Sequence, residues 1–203
     1  MRPLLAAILL LAIALPARGV AAADLPAWAP DQQPVPYCVN ASGTPIGNTG
    51  APILTPEAFA AQVQEAFAVW TSVPGVKLRV AYQGLCDSDP TDRRDGVNTI
   101  GWYRLGGAAI GLLHPSYPAG PAFRDGRARM IEADVIIDTR YAQSFDDMAQ
   151  YVNVVLPALL VHELGHFIGL EHSTNPCSIM WPKENGVTEL CEVDREAVRK
   201  VYG

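Results

Sequence analysis

His162, Glu163, His166 and His172 are spaced as HExxHxxGxxH within the run VHELGHFIGLEHSTNPCSIM at residues 161–180. Histidines at i and i+4 project from one face of an α-helix, so His162 and His166 can share a metal ion. Gly169, three residues after the second histidine, can adopt the left-handed conformation that ends a helix and turns the chain. His172 then returns as a third ligand. Three neutral imidazoles at about 2.0–2.1 Å make a tetrahedral zinc site with its fourth position open, the arrangement of catalytic rather than structural zinc. Such a site lowers the pKa of water from 15.7 to about 7, and Glu163 stands beside the pair to accept the proton. The competing reading is an ordinary helix face that happens to carry histidines. Five fixed positions at about one in twenty each recur by chance in a chain of this length less than roughly once in ten thousand, which favours the metal site.

The elements that must position these residues are legible as patterns. Residues 145–168 are apolar throughout and end in the histidine helix. Thr55, Pro56 and Glu57 read as a helix start, with a capping hydroxyl, proline at the first helical position and an acid in the first turn. Phe59, Val63, Phe67 and Trp70 repeat at helical spacing behind it and are expected in the core. Residues 36–39 read as a first strand and residues 98–103 as a third. Between them, after the Pro74-Gly75 turn, Val76, Leu78, Val80 and Tyr82 alternate with Lys77, Arg79 and Ala81 as a second strand. Residues 106–114 form a short segment of small and apolar side chains. Residues 130–138 form a clearer strand, with Ile131, Ala133, Val135 and Ile137 expected on one face. Residues 189–202 read as a closing helix with Val193, Ala197, Val198 and Val201 as its apolar stripe.

Residues 1–23 read as an export signal: Arg2, an apolar run over residues 4–15, then small residues before Asp24. That run of about 12 residues is too short to span a bilayer, which takes about 20. Residues 24–35, rich in Pro, Ala and Gln, are expected to be a linker or an extended entry into one catalytic domain over residues 36–203. Removal of residues 1–23 takes away Arg2 and Arg18 and no acid, leaving 13 basic against 21 acidic residues and a net charge of −8. An acidic exported domain has no electrostatic footprint for nucleic acid or an anionic membrane. A secreted or periplasmic monomer is expected.

At the histidine motif the chain resembles the metzincin metallopeptidases, whose signature is HExxHxxGxxH followed by a methionine turn. Within that clan it is most similar to the matrixins. His162, Glu163, His166, Gly169, Leu170, His172 and Ser173 fit the matrixin pattern HExGHxxGLxHS. The run Ser178-Ile179-Met180-Trp181-Pro182 stands where that family has its methionine turn. Pro182 occupies the place where astacin-like and serralysin-like enzymes carry a tyrosine ligand. Ala66-Phe67-Ala68-Val69-Trp70, Asp95-Gly96-Val97-Asn98-Thr99-Ile100 and Val201-Tyr202-Gly203 extend the similarity. The resemblance implies an α+β metzincin fold: a twisted, mostly parallel five-stranded sheet with an antiparallel edge strand, an active-site helix, a Met-turn and a C-terminal helix. It also implies a zinc endopeptidase acting on peptide or protein substrates, with Glu163 as general base and Met180 as an apolar support beneath the ligands. Substrate would lie along the edge strand at Ala109, Ile110, Gly111 and Leu112. Residues 182–185 would wall the pocket for the side chain after the scissile bond, with Trp181 and Pro182 as specificity candidates. A metzincin scaffold that binds zinc without turnover is the alternative, and the intact Glu163 weighs against it.

Four cysteines in an exported chain allow three pairings. Cys177 with Cys191 is favoured, because that bridge clips the segment carrying Met180; Cys38 then pairs with Cys86. A zinc-blocking role for Cys38 competes, but its context PYCVN does not match the propeptide switch of matrixins. Three of the four histidines are committed to the motif, so one zinc per chain is expected, with His114 a loop or cleft residue. Asp87, Asp89, Asp92 and Asp95 are candidate oxygen ligands for Ca2+, although their spacing matches no recognised calcium loop and a solvated turn is the simpler reading.

Overall fold

The computed structural model of the protein describes residues 26–116, 128–183 and 186–203. The export signal read at residues 1–23 lies outside them. Five strands, β1 (Val35–Asn40), β2 (Val80–Leu85), β3 (Thr99–Tyr103), β4 (Gly111–Ser116) and β5 (Glu132–Asp138), form one sheet in the order β2-β1-β3-β5-β4. β1 runs parallel to β2 and β3, β3 runs parallel to β5, and β4 lies antiparallel to β5 at the edge.

Helix α1 (Pro56–Thr71) starts as its sequence predicts: the Thr55 hydroxyl accepts from Ala58 N, and Pro56 occupies the first turn. Phe59, Val63, Phe67 and Trp70 are all buried. They set α1 against β1, β2 and the histidine helix α4 (Leu156–Phe167), which in turn lies on β4 and β5. Trp70 also donates from Nε1 to Val161 O at 2.8 Å, tying α1 to the middle of α4.

Several expectations need correction. The second strand starts at Val80, not Val76, because Lys77 N donates to Tyr202 O of the C-terminal helix and pairing with β1 begins only at Val35↔Val80. β5 was expected to bury one face. It lies between β3 and β4 with both faces covered, so Glu132, Asp134 and Ile136 are as buried as Ala133, Val135 and Ile137. Ile131, before the strand, is 46% exposed. His114 is a residue of β4 opposite Asp134, not a loop residue.

Residues 139–155 hold more than an apolar lead-in. Short helices α2 (Thr139–Gln143) and α3 (Met148–Gln150), capped by the side chains of Asp138 and Asp147, precede a π-helical turn (Tyr151–Val155) that runs into α4. The closing helix α5 (Glu192–Tyr202) buries Asp194, Val198 and Tyr202, whereas Val193, Ala197 and Val201 are only half-buried. A carboxylate therefore sits within the inward face. Within residues 24–35, read as a linker or an extended entry, Ala27, Trp28 and Ala29 are buried and residue 27 bridges to Arg129.

Candidate metal centre

Helix α4 presents His162, Glu163 and His166, and the break behind it sets the position of His172. The break is a Schellman motif: Leu170 N donates to Gly165 O, Gly169 N donates to His166 O, and Gly169 has φ 88°. A Cβ at Gly169 would overlap Pro26 O, so the N-terminal segment requires glycine there as well. The last carbonyls of α4 are satisfied from outside the helix, Phe167 O by Trp28 Nε1 at 2.9 Å and Ile168 O by the Tyr202 hydroxyl at 2.8 Å.

One ligand-capable nitrogen from each of His162, His166 and His172 lies within 4.8 Å of the other two. Among the described residues no other group of three or more His, Cys, Asp or Glu side chains converges in this way. His162 Nδ1 faces Ile179 O at 2.6 Å and His166 Nδ1 faces Leu170 O at 2.7 Å. A carbonyl only accepts, so both Nδ1 atoms carry the proton and both Nε2 atoms keep a free lone pair. His166 Nε2 and His172 Nε2 are 3.2 Å apart. Two ligands at about 2.0–2.1 Å on a tetrahedral ion stand about 3.3–3.4 Å apart, so the separation fits zinc. Burial lowers the pKa of all three, to about 4 for His162 and about 3 for His166, which keeps the imidazoles neutral as ligation requires.

Glu163 is 3% exposed, and burial pushes its carboxyl up to about 8. A cation on the adjacent imidazoles acts in the opposite direction, favouring the carboxylate. Beneath the histidines, Met180 is 2% exposed and packs against the helix backbone at Gly165, where a Cβ would overlap its Sδ. Asp194 holds the turn that carries Met180. Its Oδ1 accepts from the Ser178 hydroxyl, and its Oδ2 accepts from Ile179 N at 3.2 Å and Cys191 N at 2.9 Å. Ser178 Oγ in turn accepts from Met180 N at 3.0 Å.

The cysteines pair as Cys38–Cys86 and Cys177–Cys191, with Cα separations of 5.9 and 6.1 Å. Cys38 is thus no free thiol for a metal. A cavity of about 200 Å3 opens beside His162, with Ile110, Tyr141, Leu159, Trp181 and Lys183 among its walls. Of the substrate candidates, Ile110 and Trp181 line this cavity, Gly111 abuts Glu163, and Ala109, Leu112 and Pro182 are not among the lining residues. Residues 184 and 185, expected in the same wall, lie outside the described residues.

The acidic run does not converge. Asp89 accepts from Thr91 N and its hydroxyl, and Asp95 accepts from Val97 N and the Ser88 hydroxyl, as turn residues do. The sequence reading missed Asp194, the steric roles of Gly111 and Gly165, and the cap supplied by Trp28. Only Gly165 carried a signal, as the small residue inside the motif.

Comparison with known proteins agrees with this geometry. The family model for matrixins matches residues 45–203. Macrophage metalloelastase of Rattus norvegicus is 33% identical over 144 residues, covering 69% of this chain and 28% of that protein. A putative matrix metalloproteinase of Trichoplusia ni ascovirus 2c is 33% identical over 92 residues, covering 45% of this chain and 18% of that protein. Interstitial collagenase of Sus scrofa is 27% identical over 158 residues, covering 75% of this chain and 30% of that protein. The chain therefore spans less than a third of the length of these relatives. With the family's pattern matched over most of its length, the chain belongs to the matrixin family of metallopeptidases.

Proposed function

We propose that this chain is a zinc endopeptidase, exported by residues 1–23 and acting as a monomer with one zinc on His162, His166 and His172. The observation that carries the reading is the convergence of three neutral imidazoles beside Glu163, at a cavity and an edge strand. When bound, zinc supplies Lewis acidity toward the scissile carbonyl and toward water. Glu163 takes the proton from the attacking water and returns it to the leaving nitrogen, a role for which a carboxyl tuned by burial and an adjacent cation is suited. Met180 and Asp194 act through the ligands, by fixing the floor on which His162 rests.

Substrate would add to the sheet as an extended strand along β4, whose outer edge no described strand pairs. Ile110 O accepts from Asp138 N at 2.9 Å, and hydrogen-bonded positions alternate in an antiparallel ladder. Gly111 and Leu113 are then left with backbone groups facing the cleft, and Pro115, which has no N–H, limits the pairing. The side chain after the scissile bond would enter the cavity between Ile110 and Trp181. Two disulfides suit an oxidising extracellular or periplasmic compartment.

The test is cleavage of a diverse peptide library by the purified protein, with zinc measured on the same sample. Wild type is expected to cut internal bonds with about one zinc per chain, and Glu163→Ala to lose about 10²- to 10⁴-fold in rate while keeping the metal. One zinc without cleavage by wild type would point instead to a scaffold without turnover.

A further inference from the structure

The cavity beside His162 has a charge as well as a shape. Val155 and Leu159 on the helix side and Trp181 and Val187 on the returning segment give it apolar walls. Among the described residues that line the cavity, Lys183 alone carries a formal charge and none is a carboxylate. Lys183 is exposed and has no ion-pair partner among the described residues. In a chain of net charge −6, this sets one cation, among the described residues, in the lining of a mostly apolar cavity.

We propose that Lys183 makes this cavity discriminate by charge, favouring a substrate side chain with an apolar stem and an anionic end, glutamate among the ordinary residues, at the position after the scissile bond. The inference rests on the peptidase reading above. A glutamate lays its methylenes along Leu159 and Trp181 and brings its carboxylate toward the ammonium. An aliphatic side chain fills the same slot and leaves the exposed ammonium in water, so it is tolerated. A lysine or arginine meets a like charge at the same place and is disfavoured by a similar, solvent-screened amount. Lys183 is a specificity residue here and takes no part in the bond-breaking step.

The size of the effect follows from the exposure. A solvent-accessible ion pair contributes about 0.2–1 kcal/mol, which corresponds to a preference of roughly threefold to fivefold at its upper end. Such a preference fades as salt screens it, whereas one due to fit alone does not.

The experiment uses four peptides identical except for Glu, Gln, Leu or Lys at that position, with the cut site confirmed by product masses. Each is assayed for kcat/KM with wild type, Lys183→Met and Lys183→Glu at low and high salt. Wild type is expected to prefer Glu over Gln by about threefold to fivefold and Glu over Lys by about tenfold or more. Lys183→Met brings the Glu to Gln ratio near one, and Lys183→Glu inverts the Glu to Lys order. Because Glu184 follows Lys183 in the chain, Glu184→Gln is included and keeps the wild-type preference or raises it. An equal Glu to Gln ratio in wild type and Lys183→Met overturns the inference, and the Leu peptide then shows whether the peptidase reading still stands. If wild type cuts none of the four, the peptidase reading falls and this inference with it.

Discussion

Gly111 in β4 leaves the space that the Glu163 side chain occupies: a Cβ at residue 111 would overlap Oε1, Cδ and Cγ of Glu163. The strand is held to β5 along its length, and Glu163 is fixed at its root by α4. Gly111→Ala must therefore turn the carboxylate away from where a water would be activated. Misplacement of a reacting group by about 1 Å can cost on the order of 100-fold, so that loss in kcat is expected, with zinc content unchanged. Undiminished kcat in the alanine variant would mean that Glu163 does its work from another position.

Asp194 offers a second test, at the floor of the site. Its carboxylate is 1% exposed and accepts from Ser178, Ile179 and Cys191, and Ile179 O receives the Nδ1 proton of His162. Asp194→Ala leaves those donors without a partner, at a cost of about 2–4 kcal/mol in stability. Loss of outer support for a ligand also weakens metal binding by about 10- to 100-fold. Competition with a chelator of known affinity, together with thermal unfolding, reads both effects; a fall in stability with unchanged zinc affinity would separate Asp194 from the ligands.

The histidine helix and α1 were legible because their determinants are local. The i, i+4 pair, the glycine that closes α4, and the Thr55 cap with its apolar period each act within a turn or two of chain. Asp194 was not, since it looks like a surface acid of the first helical turn until α5 is laid against Ser178, 16 residues away. Gly111 was picked as a place for substrate to lie, but its contact with Glu163 joins a strand to a helix. β5 misled for a related reason. Its sequence has a polar face, and only the sheet order reveals that Glu132 and Asp134 are covered by packing, with hydrogen bonds from Arg94, Gly96 and Thr99.

Metal removal should destabilise the fold, and more so at neutral than at acid pH. In the metal-free protein the folded-state pKa values of His162 and His166 are depressed, to about 4 and about 3, from an unfolded value of 6.5. Stability from keeping these rings neutral is present above pH 6.5 and is lost as pH falls through the folded values. Protons also compete with zinc for the same nitrogens. Each tenfold excess of zinc over its Kd adds about 1.4 kcal/mol to the bound form. Melting curves with and without chelator are therefore expected to be far apart at pH 7.5 and to draw together toward pH 5. A gap that stays constant across that range would show that the metal is not held by these imidazoles.

Asp134 sets an opposite dependence in the sheet. Burial pushes its carboxyl up to about 7; the hydrogen bond from Thr99 N opposes the rise, and Glu132, Asp95 and Asp92 add to it. Its Oδ2 is buried with no hydrogen-bond partner among the described residues. The folded state thus favours the protonated acid, whose unfolded value is 3.8. For a raised pKa the contribution to stability is complete below pH 3.8 and is lost as pH rises through about 7. Asp134→Asn keeps an oxygen for Thr99 N and removes the titration. Relative to wild type, the variant should gain about 1–2 kcal/mol on going from pH 5 to pH 8, a figure discounted for partial screening by solvent. Denaturant unfolding at the two pH values measures the difference. Parallel losses in both proteins would mean that Asp134 is already ionised in the fold, with its second oxygen hydrated rather than protonated.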